Sequence, residues 1–189
     1  LEAFEMLKQK GHIRAYGIST NDFEVLKRFN VNNTCKVVEF DYSLLNRQPE
    51  LDMLPYCQEH GIAVLARGPL AKGLLSGKYS ADTVFKDTIR SKWHKKEKTQ
   101  AKYEQEIATV ERIKAALPPG ENMVETALRF AISHAVKPVA IPGAKSPEQA
   151  AINAKAGDKL LSEQERNNLI LSLEHPFHQR ELSVVGTRE

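Results

Sequence analysis

The feature that most constrains this sequence is a fourfold alternation of a short apolar run with a helical pattern. The four runs cover residues 13–19, 36–42, 62–66 and 138–142. Strands that alternate with helices indicate βα units and a parallel sheet. Strands of such a sheet are buried on both faces, which explains why the second and third runs are almost continuously apolar.

The intervening segments have the composition and the start signals of helices. Three of them open with a polar residue that is followed three positions later by Glu or Gln, which is the pattern of a capping box. These pairs are Asn122 with Glu125, Ser146 with Gln149, and Ser162 with Glu165. The sequence predicts helices over residues 1–10, 22–29, 49–60, 98–117, 122–134, 146–156 and 162–173.

Four βα units can form half of an eight-stranded barrel or an open, doubly wound sheet. A complete barrel takes roughly 250 residues, and this chain has 189. The open sheet usually has a glycine-rich phosphate loop after its first strand, whereas residues 17–21 read Gly-Ile-Ser-Thr-Asn. We therefore predict an α/β protein of the (β/α)8 TIM barrel class, with this chain supplying about half of the barrel.

Composition excludes several function classes. The net charge of +3 is too small to indicate nucleic-acid binding, and no run of eighteen apolar residues predicts a membrane span. The basic stretch at residues 86–102 is either a solvated loop or a surface that attracts a phosphate-bearing ligand electrostatically. Cys35 and Cys57 form no CxxC pair and indicate reduced thiols of a cytoplasmic protein. His175 and His178 have the spacing of a metal pair but no third ligand nearby, so we expect no metal.

Functional residues of a parallel barrel lie at the carboxyl ends of its strands, and the strongest signal there is the segment at residues 141–149. Ser146 is placed as an N-cap, Pro147 as the first helical residue and Gln149 as the capping partner. A helix N-terminus suits an anion, and Lys145 adds a full positive charge beside it. The alternative is a well-capped helix with an exposed lysine.

A second signal is the segment at residues 67–78. Its glycines let the backbone approach a ligand closely, and its cations suit a diphosphate. The alternative is a loop with turn glycines and solvated lysines. The glycines are Gly68, Gly73 and Gly77, and the cations are Arg67, Lys72 and Lys78.

These two segments resemble the aldo-keto reductases, particularly the bacterial and potassium-channel β-subunit-like branches. Residues 66–79 and residues 141–149, with Asn153 four places further on, carry the resemblance. Residues 13–19 and 37–45 are similar to two further family segments in the same order. The resemblance extends from residue 1 to about residue 173.

The resemblance implies a (β/α)8 barrel that binds NADPH across its mouth and reduces aldehydes or ketones by hydride transfer. In the family these motifs belong to strands five to eight. Residues 1–173 are then expected to be the C-terminal half of a barrel, and residues 174–189 a tail. The implied partners are a small carbonyl substrate and either the missing N-terminal half-barrel or a second copy of the chain.

The resemblance also assigns cofactor-binding roles. Ser19, Thr20 and Glu39 are expected to face the nicotinamide carboxamide, and Arg67 occupies the position where the family often stacks an aromatic ring. The backbone of Gly68, Pro69, Leu70, Ala71, Lys72 and Gly73 is expected to wrap the diphosphate, with Lys78 and Arg90 as further phosphate contacts. The 2′-phosphate is assigned to Gly143, Lys145 and Gln149, and the adenine to Asn153.

Three positions depart from the family pattern. Thr20 stands where the family commonly has Asn, Glu39 where it has Gln, and Arg67 where it has an aromatic residue. An ionised Glu39 can accept from the carboxamide NH2 but cannot donate to its oxygen. A guanidinium can still stack on the ring.

No catalytic residue is assigned. In the family an Asp, a Tyr, a Lys and a His come from strands two to four, which do not match any segment here. We expect an enzyme part that binds NADPH and is inactive alone. The alternative is a non-catalytic half-barrel that acts through assembly, since four strands without partners leave two sheet edges to cover.

Overall fold

The computed structural model describes residues 1–174, except the side chains of Ser172 and Glu174. Residues 175–189 lie outside this part, and with them almost all of the predicted tail as well as His175 and His178. Four strands form one parallel sheet in which neighbours follow chain order. The strands are β1 (Gly17–Ser19), β2 (Val37–Asp41), β3 (Ala63–Arg67) and β4 (Val139–Ile141).

Seven α-helices and four short 3₁₀ segments connect and flank the strands in the described part of the chain. The helices are α1 (Glu2–Gln9), α2 (Phe23–Phe29), α3 (Met53–His60), α4 (Glu97–Ala116), α5 (Met123–Ile132), α6 (Pro147–Lys155) and α7 (Glu163–Glu174). The 3₁₀ segments are Gln48–Glu50, Ala71–Ser76, Arg90–His94 and Ala156–Asp158. The predicted α/β class and parallel sheet are confirmed.

The strand order decides between the two sheet architectures. A doubly wound sheet reverses its order at a switch point, whereas here each strand pairs with the next one along the chain. Right-handed crossovers between consecutive parallel strands place all connecting helices on the same face, as in the wall of a barrel. The open-sheet alternative is therefore excluded for these four strands.

The two faces of the sheet have different environments. Val38, Phe40, Val64 and Ala66 are at most 2% exposed and belong to a core that also contains helix residues such as Leu54 and Phe130. On the opposite face Val139 and Ile141 remain 58% and 40% exposed. The helices thus cover one face, here called the covered face, and leave the other, here called the open face, more exposed.

Strand register sorts the open face into rows of side chains. Ser19, Glu39, Leu65 and Val139 are successive partners across the four strands. Asp41, Arg67 and Ile141 form the next row toward the carboxyl ends. The charged and polar groups of the open face therefore lie in the two rows toward the carboxyl ends of the strands, the side on which barrel proteins have their binding sites.

The first strand is shorter than residues 13–19 predicted. Only Gly17–Ser19 pair with β2, and Gly17 lies directly against the backbone of its partner Val37. A Cβ at Gly17 would be 1.7 Å from the Val37 carbonyl oxygen. The absence of a side chain at Gly17 is what allows the two strands to approach.

The helix predicted over residues 49–60 is divided in two. Gln48–Glu50 form a separate 3₁₀ turn. Helix α3 begins after Asp52, which caps it by accepting a hydrogen bond of 2.6 Å from the Met53 backbone N–H. Pro55 explains the break, because inside a continuous helix it would remove a hydrogen bond and clash with the preceding turn. In the first turn of α3, where backbone N–H groups have no partner within the helix, the missing N–H of Pro55 costs no hydrogen bond.

The three predicted capping boxes differ in how completely they form. Ser162 and Glu165 form a reciprocal box, with backbone-to-side-chain hydrogen bonds of 2.7 and 3.2 Å. Asn122 caps α5, but the Glu125 carboxylate turns away to Arg129 at 2.9 Å and Lys155 at 3.2 Å. The local pattern predicted each helix start correctly, and tertiary contacts redirected the second carboxylate.

A buried polar network attaches α7 to the loop after β2. Tyr42 is fully buried and donates a hydrogen bond of 2.7 Å to Glu50, which also pairs with Arg47 and with Arg166 of α7. The Arg166 guanidinium lies over the ring of Phe130, 4.5 Å from its centroid.

No helix within residues 1–174 is long and apolar enough to cross a membrane.

Candidate functional site

The carboxyl ends of β1, β2 and β3 bring together three of the predicted nicotinamide residues. The Ser19 hydroxyl donates to Glu39 Oε1 over 3.1 Å. Arg67 Nε lies 3.4 Å from the same oxygen, and the Glu39 and Arg67 side chains are 30% and 45% exposed. The carboxylate and the guanidinium thus form one ion pair on the open face, accessible from the mouth. Ser19, Glu39 and Arg67 are here called the strand-end cluster.

Two residues that the sequence interpretation did not select support this cluster. Asn21 Oδ1 accepts a hydrogen bond of 2.8 Å from the Asp41 backbone and lies 3.4 Å from an Arg67 Nη atom. Asp41 is the register partner of Arg67. Their positions immediately after β1 and at the end of β2 were the available signal, but the contacts depend on the sheet.

Thr20 has a different role in the structure from its neighbours. Its backbone N–H donates to the Glu39 carbonyl over 2.9 Å, and its hydroxyl accepts from the Asp22 backbone over 3.0 Å. The Thr20 side chain therefore shapes the turn that leads into α2. It is beside the strand-end cluster and is already engaged with the backbone.

The segment after β3 is strained over several residues. Gly68, Ala71, Lys72 and Gly73 all have positive φ, with values of 63°, 48°, 56° and 94°. Left-handed geometry costs ordinary residues about 1–2 kcal/mol each and tends to persist where function needs it. Three successive left-handed residues therefore make the predicted diphosphate segment a specific backbone conformation, unlike an ordinary solvated loop.

Gly68 is closely packed as well as left-handed. A Cβ at this position would lie 2.6 Å from Asp41 Oδ1. The segment then folds back on itself, since the Ala71 and Gly73 backbone N–H groups donate to the Gly68 and Leu70 carbonyls over 2.8 Å. The loop thus starts directly against the strand end.

Arg90 is placed differently from a free phosphate ligand. Its Nε donates to Asp87 over 2.8 Å, and a guanidinium N–H donates to the Tyr79 hydroxyl. The guanidinium also lies over the rings of Tyr79 and Phe85. These contacts hold residues 79–94 together. The backbone N–H of Arg90 donates to the Asp87 carboxyl, and this hydrogen bond, together with the Arg90 charge, lowers the pKa of that carboxyl.

Lys72 and Lys78 are exposed, and neither forms a salt bridge within the described chain. Lys72 does act at longer range on Glu106 of α4. Burial raises the pKa of the Glu106 carboxyl, and Lys102 and Lys72 oppose this effect, whereas the Asp41 charge reinforces it. Lys72 is therefore close enough to α4 for its charge to act on the Glu106 carboxyl.

The start of α6 joins four further predicted residues. Ser146 Oγ accepts from the Gln149 backbone over 3.3 Å, while Gln149 Oε1 accepts from the Lys145 backbone over 2.8 Å. Asn153 Nδ2 donates to the Gly143 carbonyl over 3.3 Å. These bonds fix the loop between β4 and α6 onto the helix. The Lys145 side chain is exposed and forms no salt bridge within residues 1–174.

The α6 N-terminus favours negative charge, as its geometry predicts. Hydrogen bonds from Ser146 and from the backbone lower the pKa of the exposed Glu148 carboxyl in the first turn. An anion held there would meet the same N–H groups and the Lys145 charge. The structure thus has two cation-bearing loops at the carboxyl edge of the sheet, one after β3 and one after β4.

The hydroxyl groups of Tyr42, Tyr56 and Tyr79 have partners outside the strand-end cluster. Tyr42 is fully buried, and burial followed by its bond to Glu50 raises the pKa of its hydroxyl. Tyr56 receives a hydrogen bond from Asn30 and stacks on His60. No group of three or more potential metal ligands occurs in the part of the chain that the structure describes.

A comparison with protein-family models finds one match that covers most of the chain. The model of the aldo/keto reductase family matches residues 1–170. The chain belongs to the aldo/keto reductase family. The family resemblance stated from the four sequence segments is thereby confirmed.

Individual family members agree with this membership. The uncharacterised oxidoreductase YqkF of Bacillus subtilis is 32% identical over 167 residues, which are 87% of this chain and 52% of that protein. The structure of a glycerol dehydrogenase from Gluconobacter oxydans has a TM-score of 0.75 at 29% identity and covers 93% of this chain and 55% of its own. An aldo-keto reductase of Klebsiella pneumoniae in complex with NADPH has a TM-score of 0.62 at 29% identity, with 97% of this chain and 56% of its own covered.

The coverage figures show a difference in size. The chain spans about half the length of the aldo/keto reductase relatives that it matches. The activity of a whole aldo/keto reductase is therefore carried over to this chain only as a proposal.

Proposed function

We propose that this chain is the NADPH-binding part of an aldo/keto reductase that reduces small aldehydes or ketones by hydride transfer. The observation that carries the proposal is the pair of cation-bearing loops at one sheet edge, with the strand-end cluster beside them. NADPH has two phosphate-containing regions, the diphosphate and the 2′-phosphate, and a nicotinamide ring at its other end. The complex of the Klebsiella pneumoniae relative with NADPH supports this choice of ligand.

In this proposal the left-handed segment from Gly68 to Gly73 holds the diphosphate, with Lys72 and Lys78 adding charge. The start of α6 holds the 2′-phosphate through Lys145 and Gln149, while Asn153 lies beside the adenine. Arg90 contributes by keeping residues 79–94 folded against the loop. The cofactor, when bound, supplies the hydride, and the residues of this chain orient it at the mouth.

The nicotinamide end is formed by the strand-end cluster. Glu39 can accept from the carboxamide NH2 while its other bonds, from Ser19 and Arg67, hold it in place. The proposal also assigns the four strands to positions five to eight of the barrel. Sequencing the parent gene tests that assignment, since it requires four further βα units upstream with an Asp, a Tyr, a Lys and a His at their ends.

Titration of the folded chain with NADPH, followed by cofactor fluorescence, tests the binding claim. We expect saturable binding, and a folded sample that does not bind NADPH contradicts it. A Lys145→Ala variant separates the 2′-phosphate site from the rest, because NADH lacks that phosphate. Loss of one charge-assisted contact should weaken NADPH about ten-fold and leave NADH nearly unchanged.

Two controls make the Lys145 result specific. Lys155→Ala, at the other end of α6, removes a second exposed lysine, one that pairs with Glu125, and should leave the ratio of the two affinities unchanged. Lys78→Ala, at the proposed diphosphate site, should weaken NADPH and NADH alike. Equal loss of both cofactors in Lys145→Ala contradicts the assignment of the 2′-phosphate.

The open face favours a second candidate function, in which the chain acts through assembly. Val139 and Ile141 are 58% and 40% exposed on this face, and β1 and β4 have no further strand partner among the described residues. A second half-barrel would cover both edges and the apolar rows. Sedimentation of the purified chain tests this candidate: a stable dimer supports it, and a monomer at micromolar concentration contradicts self-association.

A further inference from the structure

We propose that the Glu39–Arg67 ion pair sets the preference of the site between reduced and oxidised cofactor, with each side chain acting in the opposite direction. The inference rests on the proposed function, since it needs the nicotinamide ring at the strand-end cluster. It concerns a property of the site that the phosphate contacts cannot supply.

The chemical difference between the two cofactor forms is local. The ring of NADP⁺ carries a positive charge and that of NADPH is neutral, while all phosphates are the same in both forms. Lysines at the phosphate positions therefore stabilise both forms equally. Only charges near the ring distinguish the two forms, because the energy between charges falls with distance and is screened by solvent.

The strand-end cluster has such charges in a fixed arrangement. Glu39 and Arg67 lie on neighbouring strands of the open face, with Nε and Oε1 3.4 Å apart. Ser19 donates to the same carboxylate oxygen, and Asn21 contacts the other end of the guanidinium. These neutral neighbours position both charged groups and add no net charge of their own.

The charge of each side chain determines which form of the cofactor it favours. Arg67 repels the cationic ring of NADP⁺, and Glu39 attracts it, whereas neither has a full charge to act on in NADPH. Within the native pair the two effects oppose each other, and the Asp41 charge on the same face is the same in all forms of the chain. Removing Arg67 leaves a carboxylate that favours NADP⁺, and removing Glu39 leaves a guanidinium that favours NADPH.

The experiment measures the ratio of the dissociation constants, Kd for NADP⁺ over Kd for NADPH, in four forms of the full chain. NADPH is titrated by fluorescence and NADP⁺ by competition against it. We expect Arg67→Met to lower the ratio and Glu39→Gln to raise it, each by about two- to five-fold, as for partly exposed charge pairs. The double variant should return toward the native ratio, and added salt should reduce each shift.

The ratio also separates this effect from loss of stability. Partial unfolding of a variant multiplies both dissociation constants by the same factor and leaves their ratio unchanged. Lys78→Met is the matched control, since it should weaken both forms and keep the ratio.

The possible failures are distinguishable. A native chain that is folded but binds neither form contradicts the proposed function and removes this inference with it. Binding with an unchanged ratio in both single variants, or shifts in the same direction, overturns the inference alone and leaves the cofactor site standing.

Discussion

The covered and open faces of the sheet are made from the same strands but have opposite roles. On the covered face the side chains of β2 and β3 are almost completely buried among helices, and the polar groups next to it are enclosed in the Tyr42–Glu50–Arg166 network. On the open face the apolar side chains of β4 stay exposed, and the ion pair of the strand-end cluster is accessible to solvent. The comparison indicates that stability depends mainly on the covered face, whereas the proposed cofactor site lies on the open face.

The largest difference in stability between the two faces should come from changing one valine to alanine on each of them. Val64 is 2% exposed on the covered face, so Val64→Ala should lower the free energy of unfolding by about 2–3 kcal/mol through lost burial and a residual cavity. Val139, at 58% exposure on the open face, should cost less than about 0.5 kcal/mol when changed to Ala. Urea unfolding measures both, and equal losses would show that the open face is covered in solution.

A smaller difference should appear between the two carboxylates. Glu50 and Arg166 have side chains only 14% and 13% exposed, so Glu50→Gln should cost about 2 kcal/mol by leaving buried guanidinium charge poorly paired. Glu39→Gln breaks the more exposed pair and should cost about 0.5 kcal/mol. Unfolding curves at pH 7 distinguish the two cases.

The same Glu50 variant makes a signed prediction about pH. Burial acts to raise the pKa of the Glu50 carboxyl, but hydrogen bonds from Arg47 and Tyr42 and the charge of Arg166 outweigh it and hold the pKa below its usual value of 4.5. The stabilisation is therefore present above pH 4.5 and is lost as pH falls through the lowered pKa. The stability gap between the native chain and Glu50→Gln should shrink below pH 4.5, and a gap that grows on acidification contradicts this.

A glycine pair extends the comparison to the loops at the strand ends. Gly68→Ala places a Cβ at φ 63° and 2.6 Å from Asp41 Oδ1, and should cost about 1–2 kcal/mol. Gly143→Ala, whose Cβ would meet nothing within 4 Å, is the control and should be nearly neutral. Thermal unfolding detects the difference, and a neutral Gly68→Ala would show that the loop after β3 relaxes freely.

Much of the fold was predictable because its signals are local. Apolar runs predicted all four strands, and Asn122, Ser146 and Ser162 predicted the starts of three helices. The errors have physical causes. Strand β1 is shorter than its apolar run because only Gly17–Ser19 meet β2, and Pro55 divides the helix predicted over residues 49–60.

The candidate site was predictable in position more than in detail. The family resemblance assigned Ser19, Glu39 and Arg67, which the structure brings together. The cap pattern selected Ser146 and Gln149, with Lys145 beside them. The sequence did not show that Asp87 and Tyr79 hold Arg90, or that Asn21 and Asp41 support Arg67. Those contacts join segments that have no periodic signal in common.

The sequence by itself determined the fourfold βα alternation, the chemistry available at the strand ends and the family resemblance. Only the tertiary structure decided which sheet face is open, how Glu39 and Arg67 pair, and that the carboxylate of Glu125 leaves its predicted cap for Arg129 and Lys155. The physical reason is the range of the interactions involved. Helix caps and apolar runs act within a few residues, whereas Ser19 and Glu39, or Asn21 and Arg67, lie 20 and 46 positions apart and meet only through the sheet register.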